Sequence, residues 1–573
     1  MKMRKYATDV LVIGFGGAGL RAALEAARSG AKVLLIGKGG FAEGGATGYG
    51  ANEVAGFNVG DGIADANDNP QEHYRDIMDA AQGMANPALA RILAEQAPAA
   101  YEELQSWGLT CLKNNGVPVV VQGCFASRPR MHMIPDHGKP ILSALRSQLS
   151  EHGYGMLERH LVTDLLIEDG VCGGALAIDP QEQPVLVSAR AVVLAAGGGG
   201  QLFAPNLYPM DITGDGYALA YRAGATLLNM EFMQAGLGVA VPGQRPRLLN
   251  AWMWRMRPAM VDRQGREVLG RYVPPGFDLE RCYAAKTHFP FSSVDASRYI
   301  EIAVRKASTN DRIFLDFSRR KADASVDPGL QALWQTGVEW YARHGVDLLH
   351  RPVEVVCVGH AVNGGVQIDE GGQTDVPGLF AAGESAGGPH GADRLGGNML
   401  LACQVFGRIA GRSAARFASD APAKRATGGE ALVRSTRLAG NPGFRCERIA
   451  QLRAGLQEAV SGNYLIVKDQ RALDHCESVI GSIDAEIAER GKEASDPGAS
   501  WALFELRSLL DISRCMVAAA GTRRESRGAH FREDFPECSP DWERVITCRS
   551  KGDGQGTMLS MKRLVGNRKG VAK

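Results

Sequence analysis

Apolar positions along the first forty residues switch between two periods. Asp9-Val-Leu-Val-Ile13 is a short continuous apolar run, the pattern of a buried strand. Gly14-Phe-Gly-Gly-Ala-Gly19 follows, then an alanine-rich amphipathic stretch, Leu20 to Arg28, which Gly30 ends; Lys32-Val-Leu-Leu-Ile36 is the next strand. This order predicts a complete βαβ unit at the start of the chain. Val162 to Gly170 and Gly174 to Asp179 alternate like hairpin strands with Asp-Gly at the turn. Ala189 to Gly198 and Gly378 to Glu384 read as buried strands that end in glycine. Such strands, far apart in sequence, suit a parallel sheet with a ligand at its carboxyl edge. Residues 235–350 are rich in Trp, Arg and Pro, lack those strand ends, and read as an insertion between two parts of the sheet domain. After about residue 430 the pattern turns helical, with Ala502 to Met516 apolar at helical spacing and Gly521 as a stop.

Length and composition narrow the class. A chain of 573 residues exceeds what one core holds, so two or three domains are expected. With 64 Lys+Arg against 63 Asp+Glu, charge gives no reason to propose nucleic acid or an anionic membrane as partner. The 11 cysteines include no C-x-x-C pair and no metal-ligand spacing, which reads as reduced thiols in the cytosol. The run from Val10 to Ile13 is too short for a signal peptide, and no apolar stretch reaches about 18 residues, so membrane insertion is not expected. Many of the 71 glycines cluster, at Gly14 to Gly19, Gly197 to Gly200, Gly387-Gly388 and Gly396-Gly397. Clustering marks backbone that turns tightly or approaches a ligand.

The first cluster carries a mechanism. In G-x-G-x-x-G the first two glycines permit the turn and a close approach to a pyrophosphate. The third permits close strand–helix packing, and the helix N-terminus offers free N–H groups to phosphate. In its strand–turn–helix context the motif predicts dinucleotide binding, without choosing between FAD and NAD.

Later blocks are more specific. Thr213-Gly-Asp-Gly216, Ala220-Tyr-Arg-Ala-Gly-Ala225, Asn229-Met-Glu-Phe-Met-Gln234, Pro389-His-Gly-Ala-Asp-Arg-Leu-Gly-Gly-Asn398 and Arg524-Glu-Ser-Arg-Gly-Ala-His530, with Arg532 and Asp534, run in one order along the chain. Asp295-Ala-Ser-Arg298 and Leu315-Asp316 fall between them. Together the blocks resemble the flavoprotein subunits of fumarate reductase and succinate dehydrogenase, of which aspartate oxidase and adenylylsulfate reductase are relatives. The resemblance spans about residues 8–545. It implies an α/β fold: a bipartite, Rossmann-like FAD-binding domain, an inserted α+β capping domain and a C-terminal helical domain. The divisions are 1–234 and 351–425 for the FAD-binding domain, 235–350 for the cap, and 426–573 for the helical domain and tail.

By the same resemblance FAD lies against Gly14, Gly16, Gly17, Gly19, Lys38, Gly45, Thr47, Val162, Ala196, Gly197, Gly198, Asp215, Glu384, Asn398, Met399 and Leu400. Arg394 matches the family's carboxylate-binding arginine, a role a guanidinium suits because its paired donors match carboxylate geometry. His360, before Gly364-Gly365, matches a substrate-site histidine, and Arg255, with Arg257 close by, stands near the family's proton-donating arginine, ahead of the Asp262 to Val268 turn. Arginine is a poor acid in water, so that role demands close placement at the substrate.

Three departures stand out. Gly37-Lys38 replaces the acid that many FAD proteins place at the end of the second strand, so the ribose is held by backbone or from elsewhere. Ala46-Thr47 replaces the histidine step that links FAD covalently in succinate dehydrogenases, so non-covalent FAD is expected, with a lower potential that favours alkene reduction. Gln234-Ala-Gly-Leu-Gly238 replaces the Q-[FY]-H-P-T segment, so one side of the dicarboxylate site has lost its polar handles. The leading expectation is an FAD-dependent oxidoreductase moving a hydride between flavin N5 and the α,β-carbons of a small carboxylate or dicarboxylate, in the reductive direction. Two alternatives are an aspartate-like amino-acid oxidase and an electron-transfer subunit that works with an iron–sulfur partner.

Overall fold

In the computed structural model, which describes residues 3–41, 44–49, 54–319, 328–420, 445–489, 498–551 and 556–564, the first apolar run becomes a central strand. Val10–Ile13 is fully buried, pairs in parallel with Val33–Gly37 on one side and Ala191–Leu194 on the other, and lies in a five-stranded sheet. Leu379–Ala381 and Tyr154–Glu158 complete it, so the order is Leu379–Ala381, Ala191–Leu194, Val10–Ile13, Val33–Gly37, Tyr154–Glu158, all parallel. The helix Gly17–Arg28 follows the first strand and packs against the long helix Asn398–Asp420. A Cβ on Gly407 or Gly411 would meet the Ala18 carbonyl oxygen at 2.9 Å or that of Ala22 at 2.3 Å, so these two glycines set the close crossing.

The expected hairpin forms from Leu161–Glu168 and Val171–Ile178, with Asp169 and Gly170 both at positive φ in the turn. It joins Pro184–Ser188 and the N-terminal strand Arg4–Ala7 in a four-stranded sheet. A second body of structure has its own antiparallel sheet, in the order Arg247–Leu248, Met233–Val239, Val353–Val362, Ile313–Asp316, Ala259–Val261. It also has its own hydrophobic cluster, running from Leu237 to Val355 and including Trp254, Ile300 and Tyr341. The helices Cys446–Asn463, Gln470–Glu489 and Ala499–Thr522 pack together at the C-terminal end. The division placed at residues 425 and 426 lies outside the described residues.

Two local expectations are corrected. The first helix starts at Gly17 rather than Leu20, because Gly17, Ala18 and Gly19 already have helical backbone, with the extended Gly16 as N-cap. Gly521 does not stop the last long helix, which continues to Thr522. The guanidinium of Arg532 donates to the carbonyl oxygen of Ala520 at 2.9 Å, so a distant arginine caps this end.

Candidate active site

A cavity of about 1630 Å³ runs from the glycine motif to the loop that carries Arg394. Its first end is made of backbone. Gly14 has φ of +119°, and a Cβ there would stand 2.2 Å from the Ala195 carbonyl oxygen; a Cβ on Gly19 would stand 2.1 Å from the Gly14 carbonyl oxygen. These two glycines therefore serve strand–helix contact. Gly16 differs: an added Cβ would meet nothing nearer than Thr47 Oγ1 at 3.8 Å. The space over Gly16 is open, at the N-terminus of a helix with no side-chain cap. That is a phosphate cradle in both shape and chemistry. Thr47 Oγ1 accepts from the Gly17 N–H at 3.1 Å, which ties the Gly45–Thr47 loop to the helix start.

Of the cofactor contacts expected from sequence, Gly14, Gly16, Gly17, Lys38, Gly45, Thr47, Val162, Ala196, Gly197, Asp215, Glu384, Met399 and Leu400 all line this cavity. Gly19, Gly198 and Asn398 do not. Gly19 is used in packing, and a Cβ on Gly198 would meet the Glu384 carboxylate at 2.1 Å. Asn398 is fully buried at a helix start, where its Oδ1 meets Asn58 Nδ2 at 2.7 Å and His73 Nε2 at 3.0 Å. Lys38 and Asp215 pair with each other at 2.7 Å, and Lys38 pairs with Glu505 at 2.8 Å. Burial opposes the Lys38 charge, yet Asp215 and Glu505 hold its affinity for a proton above the ordinary lysine value. Lys38 thus ties the cradle to the C-terminal helices.

The other end is made of side chains. Arg394 is 7% exposed, donates to the Leu395 carbonyl oxygen at 3.0 Å, and brings a guanidinium nitrogen within 3.4 Å of His360 Nε2. It forms no ion pair, and its Nε is without a partner, among the described residues. A buried cation in this state is costly unless a ligand answers it. Its loop is held on several sides. Gln234 donates to the Arg394 carbonyl oxygen at 3.1 Å, Gly396 N–H to that of Cys124 at 3.1 Å, and Ala529 N–H to that of Ala392 at 3.3 Å. The Glu525 to His530 block thus acts here as a buttress, with Arg523 and Arg527 both paired to the buried Glu525.

His360 faces the cavity between two rings, Tyr208 with centroids 5.7 Å apart and Phe289 edge-on at 5.4 Å. Burial, then Arg394 and His137, push its pKa down to about 3, so the imidazole is neutral at physiological pH. Burial likewise raises Glu384 to about 7, against the Val362 N–H, Arg394 and Tyr208, whose hydroxyl donates to it at 3.2 Å. Beside Arg394, burial raises Asp393 to about 7 although Ser292 Oγ donates to it at 2.6 Å.

Arg255 lines the outer part of the same cavity, is exposed, and carries no ion pair among the described residues. Arg257 also lines it but pairs with Glu280 at 2.5 Å. The segment Met233–Val239 is a fully buried strand whose Ala235 faces Gly359. Gly236 stands where the family pattern has histidine, and a Cβ there would meet the Phe289 ring at 2.8 Å. The Phe289 ring leaves no room for a side chain on the present backbone at position 236. Phe289, Cys124, His137 and Lys286, all cavity residues, carry no motif and escape sequence reasoning. The His137 imidazole lies beside the Ala46-Thr47 step, with Nδ1 3.1 Å from the Thr47 carbonyl oxygen. Burial raises the Cys124 thiol, while the Phe289 N–H, Lys286 and Arg394 oppose that shift.

Comparison with known proteins decides the assignment. A family model described as FAD binding domain matches residues 9–400, and one described as fumarate reductase flavoprotein C-term matches residues 453–567. The chain belongs to the fumarate reductase and succinate dehydrogenase flavoprotein family. It is 31% identical to a fumarate reductase (CoM/CoB) subunit from Methanothermobacter marburgensis over 97% of this chain and 99% of that one. To L-aspartate oxidase of Nostoc sp. it is 30% identical, over 93% of this chain and 92% of that one. Among solved structures, Mycobacterium smegmatis Sdh1 in complex with UQ1 matches with a TM-score of 0.83 and 26% identity, covering 98% of this chain and 95% of that one. The flavoprotein is thus an FAD-dependent oxidoreductase of a family that acts on CH–CH bonds, and its cofactor is FAD. Among the described residues, no helix is long and apolar enough to cross a membrane.

Proposed function

We propose that this flavoprotein reduces the α,β double bond of an unsaturated carboxylate. The observation that carries the reading is the buried Arg394, unpaired by any carboxylate among the described residues, set against neutral His360 in the cavity that begins at the phosphate cradle. Bound FAD supplies two-electron hydride chemistry. Arg394 holds the substrate carboxylate by paired N–H donors and so orients the alkene. His360, which stays neutral down to about pH 3, adds a hydrogen bond and does not supply the proton. Arg255, which unlike its neighbour Arg257 is not paired with Glu280, is our assignment for proton delivery to the α-carbon. Residues 235–350 act as the cap, a reading supported by a separate hydrophobic cluster that spans Leu237 to Val355. FAD is held without a covalent link, since position 46 is alanine. Electrons come from a partner protein, an iron–sulfur protein by our reading; the Methanothermobacter relative is itself named as one subunit of a reductase.

The test is anaerobic. The photoreduced protein is mixed with a panel of unsaturated acids, and flavin reoxidation is followed by absorbance. Reoxidation by at least one acid is expected, with Arg394→Ala slowing it by about a thousandfold or more while FAD stays bound. Flavin reduction by aspartate with peroxide release, and no reoxidation by any unsaturated acid, would overturn the reading in favour of an oxidase like the Nostoc relative.

A further inference from the structure

A buried lysine in the cavity wall has no part in the mechanism above. Lys286 follows the short helix Glu280–Ala285, is 1% exposed, and lines the same cavity as His360, Arg394 and Phe289. Its partner is Glu301, from the helix Arg298–Ala307, and both side chains are withdrawn from solvent. Apart from this ion pair, neither Glu301 oxygen has a hydrogen-bond partner among the described residues. Such an ion pair does little for a fold, because desolvation offsets the attraction and a well-packed apolar pair serves as well. Its presence in a cavity wall fits a group kept for a ligand.

The position of the ammonium adds a direction. Lys286 Nζ donates to the Phe289 carbonyl oxygen at 3.3 Å. The same oxygen lies 3.1 Å from the point where a Cβ on Gly236 would stand. Lys286 therefore borders the space from which the side chain at position 236 has been lost. An ammonium has three donors; Glu301 and Phe289 take two of them, and no partner for the third is found among the described residues. The pair is neutral as a whole. A second substrate carboxylate would face the Glu301 charge together with that of Lys286, whereas a neutral oxygen would meet only the donor.

Resting on the reading that Arg394 takes a carboxylate, we propose that Lys286, positioned by Glu301, is the second substrate anchor. It donates to a neutral oxygen, the carbonyl of an amide, ester or ketone, at the far end of an unsaturated monocarboxylate. Binding tests this without turnover, because the oxidised holoenzyme cannot reduce an unsaturated acid. It is titrated with crotonate, fumarate and the half-amide of fumarate, and binding is read from the perturbation of flavin absorbance. The wild type should bind the half-amide about tenfold more tightly than either other acid. Lys286→Met should erase that preference and leave crotonate affinity as it was. Glu301→Gln leaves the ammonium unbalanced and should move the preference to fumarate, again by about tenfold. Flavin content reports whether each variant has folded. If the wild type shows no preference for the half-amide, or Lys286→Met weakens all three acids alike, the assignment of Lys286 falls while the Arg394 reading stands. If none of the three acids binds the wild type, both fall.

Discussion

The two ends of the cavity are built by different means. At the phosphate end the wall is backbone, and Gly14, Gly16 and Gly17, which line it, come from one turn. At the end read as the substrate's, the wall is made of side chains: Lys286 and Phe289 from the segment after the helix Glu280–Ala285, His360 from the strand Val353–Val362, and Arg394 from the loop before the helix Asn398–Asp420. The first end specifies a cofactor through space left empty. By our proposal the second specifies a substrate through charge and through space filled by Phe289. One end can thus be shared by a whole family while the other is rebuilt residue by residue.

The largest effect that probes this contrast lies within the glycine motif itself. Gly14→Val puts a branched side chain at φ +119° and 2.2 Å from the Ala195 carbonyl oxygen. It should cost more than about 3 kcal/mol and yield little folded protein. Gly16→Ala meets no protein atom closer than 3.8 Å, so its melting temperature without cofactor should match the parent. Its loss should appear only in FAD affinity, by about tenfold or more, because the added methyl occupies the ligand's side of the cradle. Equal losses of apoprotein stability in both variants would show that the two glycines do the same work.

A smaller effect comes from titration. Glu384 holds its proton to about pH 7, against an ordinary value of 4.5. In that interval the folded state keeps a proton that the unfolded chain has released. The stability Glu384 contributes is therefore complete below pH 4.5 and is lost as pH rises through 7. His360 runs the other way: neutral in the fold to about pH 3, it lowers stability as pH falls below its ordinary 6.5. Glu384→Gln removes the first of these losses. The stability gap between wild type and variant should shift in the variant's favour by about 2–3 kcal/mol between about pH 5 and pH 8, measured by denaturant unfolding. A gap that does not move with pH would mean that the Glu384 carboxylate is ionised throughout.

How much was legible in the sequence follows the same division. The βαβ unit, the Asp169-Gly170 hairpin and the parallel strands ending in glycine were readable because each depends on residues adjacent in the chain. Arg394 and His360 were readable through motifs, and the structure brings them within 3.4 Å. Lys38 was readable as a cavity residue but not as the partner of Asp215 and Glu505, since Glu505 lies 467 residues away. Phe289, Cys124 and the Lys286–Glu301 pair left no signal, because each draws its meaning from a neighbour supplied by the fold. Gly521 misled as a helix stop because the cap is the remote Arg532.

The smallest expected effect tests whether Phe289 fills the place of a lost side chain. A Cβ on Gly236 would stand 2.8 and 2.9 Å from two carbons of the Phe289 ring. Gly236→Ala should therefore cost about 1–3 kcal/mol, the usual penalty for overpacking a rigid wall. Phe289→Leu removes the ring and should itself destabilise modestly by opening a void. If the two residues compete for one space, the double variant is more stable than the two single changes predict when added, by about 1 kcal/mol in calorimetry. Strict additivity would mean the strand moves away from the ring, leaving the wall able to readmit a polar side chain at position 236. The apolar character of this end would then be a choice of residue alone, and Gly236→His could restore a dicarboxylate site without any change at Phe289.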